Sequence, residues 1–222
     1  MKTKISFILL LVIIVCTLEA DSVAIALKVK GDVELTREEA SRQIQTGDEF
    51  VNKDELESRE NSFAAVKFVD GSSVVKLFPN SILTINAEKE NGKLNKNNYL
   101  QFGELWAKVT KKTGTFEIDT PTTVVSVKGT ELFLIVDENG ETELFTFKGE
   151  VHMKNKADDN EATVTAGQKA QTSGEGKILV SPTQEGDIEE SKMEMMESGF
   201  NLLEIELENN DGEKKTIKID FE

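Results

Sequence analysis

A chain of 222 residues with 26 basic and 41 acidic side chains carries a net charge of −15, a surface that repels phosphate backbones and excludes nucleic acid as a partner. One cysteine and one histidine leave no cysteine–zinc site, no dithiol pair and no histidine-rich metal centre. The length suits one substantial domain with extensions.

Residues 1–20 have the pattern of a signal peptide. Lys2 and Lys4 form a short basic start, Ile5 to Leu18 is almost wholly apolar, and Ala20 is a small residue suited to cleavage before Asp21. Fourteen helical residues reach only about 21 Å, short of a hydrocarbon core of roughly 30 Å. Cys16 sits near the end of this run, where a lipid-anchored form would be acylated, although Val15 replaces the small residue that such a site prefers. The expectation is a periplasmic or secreted protein. Losing Lys2, Lys4 and Glu19 with the leader leaves a net charge of −16 and no cysteine.

Residues 24–181 read as an all-β domain. Short apolar runs at 63–69, 74–77, 82–85, 100–109 and 144–147 are cut by the turn dipeptides Asp70-Gly71, Asn91-Gly92 and Asn139-Gly140. Pro79, Pro121 and Pro182 all fall at breaks. Helical turns are expected at 38–44 and 53–58. A Gly-acid-apolar-x-apolar pattern recurs at Gly31, Gly103 and Gly149, where a glycine bend starts a new strand. The unequal gaps exclude a fixed-period repeat, and the pattern predicts a twisted, solenoid-like path. In Phe116–Val136, Phe116 and Ile118 alternate, Pro121 breaks, Val125 and Val127 resume, Gly129 permits a bulge or close approach, and Leu132 to Val136 is a strand buried on both faces.

Residues 183–222 form an acidic extension with 13 acidic and 4 basic side chains. Asp187–Ser198 predicts a short helix stopped by Gly199, with Ile188, Met195 and Met196 on one side. Leu203, Ile205 and Leu207, then Ile217, Ile219 and Phe221, alternate around Asn209–Gly212 as a β-hairpin. A lone hairpin is marginal in water, so docking on the protein's own core is expected.

The chemistry is sparse. No carboxylate pair sits in a recognisable catalytic pattern, and the chain has neither a phosphate loop nor a nucleophile elbow. The oxygen-rich loops at 137–141 and 158–161 lack the calcium-loop spacing. No cofactor or metal is expected. Trp106 and Tyr99, each the single residue of its type, are the two candidates for ligand stacking; a strand context makes core packing the commoner fate of Trp106. His152 reads as a surface residue.

Several short motifs, in order, resemble the FecR domain, named for the ferric-citrate regulator of bacterial iron transport. They are Gly31-Asp32-Val33, Thr46-Gly47-Asp48, Asp70-Gly71-Ser72, Phe78-Pro79-Asn80-Ser81 and Phe102-Gly103-Glu104-Leu105-Trp106. The strongest is Thr120-Pro121 followed by Val125-x-Val127-x-Gly129-Thr130, and the series closes with Gly149-x-Val151 and Ala166-Gly167-Gln168. The resemblance runs from about Ala24 to Lys169 and implies structural roles for these motif residues. It implies an exported all-β module. In the best-known members, that module relays the state of an outer-membrane transporter, and a cytoplasmic segment controls a sigma factor. Only Met1–Lys4 precede the apolar run here, so no sigma-factor contact is expected. The leading expectation is a non-enzymatic module that binds a protein or the cell envelope in signalling. The alternative is a soluble binder of sugar, peptidoglycan fragment or ferric chelate.

Overall fold

The computed structural model describes residues 21–110, 113–172 and 176–197, together with the backbone of strands at 203–208 and 214–219. The chain shuttles between two sheets. It starts in a front sheet with β1 (Ala24–Lys30), crosses to a back sheet for β2 (Val33–Arg37) and β3 (Ala40–Gln43), and returns for β4 (Glu49–Phe50). The back strand β5 (Asp54–Ser58) precedes the front hairpin β6 (Phe63–Phe68) and β7 (Ser73–Leu77). Next come β8 (Ser81–Ile85) and β9 (Ala87–Glu90) in the back. The 17-residue β10 (Lys93–Val109) begins in the back sheet and ends in the front one. Hairpins then alternate: β11 (Phe116–Asp119) and β12 (Thr123–Val127) behind, β13 (Glu131–Val136) and β14 (Thr142–Lys148) in front. They are followed by β15 (Glu150–Asn155) and β16 (Glu161–Thr165) behind, then β17 (Gln168–Thr172) and β18 (Leu179–Pro182) in front.

The front order is β4-β1-β6-β7-β10-β13-β14-β17-β18, antiparallel throughout. The back order is β3-β2-β5-β8-β10-β11-β12-β15-β16, with β9 beside the start of β10 and one parallel pair, β10–β11. Because β10 belongs to both, the eighteen strands form one continuous curled sheet. The all-β, coiled path expected from the strand rhythm is what the chain adopts.

One mainly aliphatic core, which also holds Phe50, Phe68 and Phe116, fills the space between the sheets. Leu35, Leu56, Leu83, Leu100, Ile118, Val125 and Val151 face it from behind; Val66, Val75, Leu77, Leu105, Leu132, Leu134 and Leu144 face it from the front. Each fully buried side chain of this size stabilises the fold by about 1.5–3 kcal/mol. A cation is buried with them: Lys96 Nζ donates to Asp70 Oδ2 (2.7 Å) and to the Leu94 carbonyl (2.8 Å). Asp70 also accepts from the Ser72 N–H and hydroxyl. Burial pushes its carboxyl up, but Lys96 and Ser72 outweigh this and hold it below the usual carboxylate range. The Asp70-Gly71-Ser72 motif thereby ties the β6–β7 turn to β10.

The recurrent glycines mark sheet changes. At Gly103 β10 passes from back to front with φ +100°, and a Cβ there would lie 2.2 Å from Ser81 Oγ. Gly129, expected to permit a bulge or close approach, stands in open space: a Cβ added there would have no neighbour within 4 Å, and the φ of +72° is the reason for glycine. The close approach belongs to Gly149, whose Cβ would meet the Gly129 carbonyl at 2.7 Å. Thr120-Pro121 closes one end of the sandwich. Thr120 Oγ1 lies 2.8 Å from Thr123 Oγ1 and 3.1 Å from Thr142 Oγ1, linking a back hairpin to a front one through buried hydroxyls.

The helical turns expected at 38–44 and 53–58 are absent. Residues 40–43 and 54–58 are strands β3 and β5. In β5, Asp54, Leu56 and Ser58 turn inward while Glu55 and Glu57 turn out, a period of two that pairing with β2 and β8 enforces. The extension contains the short helix α1 (Glu190–Glu197), and β19 (Leu203–Glu208) pairs antiparallel with β20 (Lys214–Ile219) in a separate two-stranded sheet. The side chains of that hairpin, and the leader 1–20, lie outside the described residues.

Candidate functional site

Alternation along each front strand turns every second side chain away from the core, and the strand register sets those outward residues in rows. One row crosses eight of the nine strands: Lys28, Ala65, Lys76, Trp106, Phe133, Phe145, Lys169 and Ser181, each opposite the next on the neighbouring strand. Its centre is aromatic. Phe133 meets Phe78 edge-on (5.2 Å between centroids) and lies tilted against Phe145 (6.3 Å), and Phe78 meets Phe63 edge-on at 6.2 Å. Four large rings, Phe78, Trp106, Phe133 and Phe145, are buried on a face opposite the main core.

The segment 187–197 covers them. Asp187 Oδ1 accepts from Lys169 Nζ at 2.9 Å on β17, Lys192 Nζ meets Glu104 Oε1 at 2.6 Å on β10, and Ile188 and Met196 pack onto the rings. At the far end Lys76 Nζ, on β7, donates to the carbonyls of Met195 (3.1 Å) and Met196 (2.5 Å), with Trp106 5.3 Å away. Four strand steps, roughly 19 Å, separate Lys169 from Lys76, and α1 with the residues before it bridges them. A cation at a helix C-terminus is favourably placed against its terminal carbonyls. Burial nonetheless dominates: reinforced by Lys28 and Lys108 and opposed by Glu131, it pulls Lys76 down to about 7. Asp187 is held below the usual carboxylate range by the Gln184 N–H and by Lys169.

Beside this patch, the next row of the same face opens into a depression of about 330 Å³ lined by Ile135, Glu143, Gln171 and Leu179 and by the 137–142 loop. In that loop Asp137 Oδ1 accepts from the N–H groups of Asn139 and Glu141, so the oxygen-rich stretch is satisfied as a turn. Among the described residues no group of three or more His, Cys, Asp or Glu is arranged to hold a metal ion. Nor, among them, is any helix long and apolar enough to cross a membrane.

The structure does not bring the two stacking candidates together. Trp106 is 2% exposed beneath α1, whereas Tyr99 is half-buried in the back-sheet part of β10, opposite Thr84 and Asp119. His152 is exposed, with Thr163 and Glu150 as neighbours. Gly47 and Asp48 form the turn before β4, where Asp48 accepts from Gln45 N and Arg42; Gly167 turns the chain into β17, and Thr130 is buried after Gly129. Lys76 and Lys192 escaped the sequence reading, and Glu104 entered it only as part of the Phe102–Trp106 motif. The available signal was a lysine inside Ser73–Leu77, an otherwise apolar strand, together with phenylalanines that break the alternation of β13 and β14.

The FecR protein family model matches residues 54–152, which bears out the resemblance over that stretch. No curated protein matches the chain. Two crystal structures, at 2.50 and 1.65 Å, of a protein from Parabacteroides distasonis ATCC 8503 described as a "putative anti-sigma factor" share the fold. Their TM-scores are 0.52 and 0.51 at 15% and 14% identity, with 67% of this chain and 66% of theirs covered.

Proposed function

We propose that this FecR-type domain is an exported, regulatory module that works by binding another protein or the cell envelope rather than by catalysis. The observation that carries the reading is the aromatic row of the front sheet. A sandwich already stabilised by one core has no structural need for four more buried rings on its outer face, and such a face, roofed among the described residues by a short helix and the residues before it, has the composition of an interaction surface. The FecR match and the fold shared with the Parabacteroides proteins support a part in a signalling circuit. Contact with a sigma factor is not part of the reading. The leader pattern supports export, with Asp21 as the mature N-terminus; intact mass of the protein recovered outside the cytoplasm checks this. The sugar- or chelate-binding alternative loses its best residue, because Trp106 offers no open stacking face.

Photocrosslinking in intact cells tests the proposal. A photoreactive side chain at Val74 or Ser181, on the outer front face, should capture a discrete envelope or protein partner. The same group at Glu55 or Thr163, on the outer back face, should not. Equal capture from both faces, or none from either, contradicts it.

A further inference from the structure

We propose that the aromatic row is a groove for a short, acidic, amphipathic helix of a protein partner, and that α1 fills this groove in cis until such a helix replaces it. The inference rests on the binding role given above and names the partner's chemistry. Three observations carry it.

First, the groove is already occupied by a helix, so the bound geometry is on view. Its requirements are one large apolar side chain just ahead of the helix, met by Ile188, and a second in its last turn, met by Met196; a cation opposite Glu104, met by Lys192; and C-terminal carbonyls for Lys76. This is recognition of a helix by a preformed apolar groove.

Second, the groove is rimmed by cations in a strongly acidic chain. Exposed Lys28 ends the aromatic row. In the adjacent row, exposed Lys67 and Lys108 flank Val74, and exposed Lys148 lies beyond Glu131. Such a rim attracts an acidic segment and discriminates against a basic one. The helix now in place is itself acidic, with Glu190, Glu194 and Glu197.

Third, α1 is a weak occupant. It has eight residues, and helices under about 12–15 residues are marginal in water. No basic residue lies in its last turn, and Glu197 there opposes the helix dipole. Met193 projects into solvent, 46% exposed. A partner helix with the same anchors and one or two additional turns could reach the rim lysines that α1 leaves exposed.

The sole tryptophan, Trp106, reports directly on the groove. In the full chain, Ile188→Asp with Met196→Asp should unseat α1, keep the β-sheet circular dichroism and move Trp106 emission to longer wavelength. A synthetic peptide of residues 185–198, EGDIEESKMEMMES, should then return the emission to shorter wavelength. It should bind this variant about tenfold or more tightly than the wild-type chain, whose groove is competent only in the fraction of molecules with α1 lifted. A scrambled peptide of the same composition should do neither. If the double variant loses its sheet signal, Lys192→Glu opens the groove from its polar edge, and adding Glu104→Lys restores it; emission and peptide titration are read in the same way. An unmoved emission in a folded open variant, equal peptide affinity for open and wild-type chains, or an equal response to the scrambled peptide overturns the proposal. So does a dimer in light scattering, which would make a second copy's α1 the occupant. Failure here alongside partner capture from Val74 or Ser181 leaves the binding role standing and places the partner elsewhere on the face.

Discussion

The two faces of the front sheet bury side chains for different ends. The inner face is mainly aliphatic, with Phe50 and Phe68 as exceptions, and lies against a second sheet; the outer face is rich in aromatic rings and lies under one eight-residue helix and the residues before it. A lysine is buried on each side. In the core, Lys96, from the back-sheet part of β10, is fastened to a carboxylate of the same domain, whereas on the outer face Lys76 gives its ammonium to the last carbonyls of α1. Burial that spans the sandwich belongs to folding. Burial that depends on one short segment can be undone without unfolding, so its free energy is available to a competing ligand.

That contrast breaks if equivalent truncations on the two faces cost the same. Leu134→Ala on the inner face should destabilise the chain by about 2–5 kcal/mol in urea titrations followed by circular dichroism. Ile188→Ala under α1 should cost only about 1 kcal/mol and leave the sheet transition in place. Gly129→Val sharpens the account of the crossings. A β-branched residue at φ +72° should cost about 1–3 kcal/mol through backbone strain, with no contribution from crowding, since the site is open. A smaller loss for Gly129→Asn, which tolerates this conformation, distinguishes the two causes by melting temperature. Thr120→Val, removing the hydroxyl that joins the β11–β12 hairpin to the β13–β14 hairpin, should cost about 1–2 kcal/mol and leave Trp106 emission unchanged.

The smallest effect is a pH dependence confined to the outer face. Lys76 falls from its ordinary value to about 7 when covered. The covered state therefore binds fewer protons than the open one between about 7 and 10.5, so cover by α1 tightens as pH rises through that window and is loosest below 7. Lys28, Lys108 and Glu131 act on the same ammonium and set the position of the window. Proteolysis of the 183–197 segment should accordingly slow from pH 7 to pH 9, and Lys76→Met should abolish the difference.

Much of the inner face is legible from residue order. Val75 and Leu77, Leu105 and Ala107, and Leu132 and Leu134 announce a half-buried sheet by their period of two, and Asp70-Gly71 and Thr120-Pro121 announce its turns. Two of the FecR-like motifs sit at a crossing and at a staple: Gly103 makes room for Ser81 where β10 changes sheet, and Thr120 links two hairpins. The outer face is hidden because its parts are scattered. Lys76, Trp106, Phe133 and Phe145 become neighbours only through the strand register, and the helix that covers them comes from about 40–120 residues further along. Residues 54–58 resemble a helical turn in sequence because the outward Glu55 and Glu57 mimic a solvated face until the partner strands are known, and residues 40–43 show no period of two because all four side chains are exposed.

Native-state hydrogen exchange on the full chain separates a removable cover from an integral part of the fold. The amides of α1 should exchange through local opening, at a free energy well below that of β10 and β13, while those strands exchange only with global unfolding. Exchange of α1 at the same free energy and with the same denaturant dependence as β10 and β13 would contradict this, because the helix would then be part of the fold rather than a cover over a binding face.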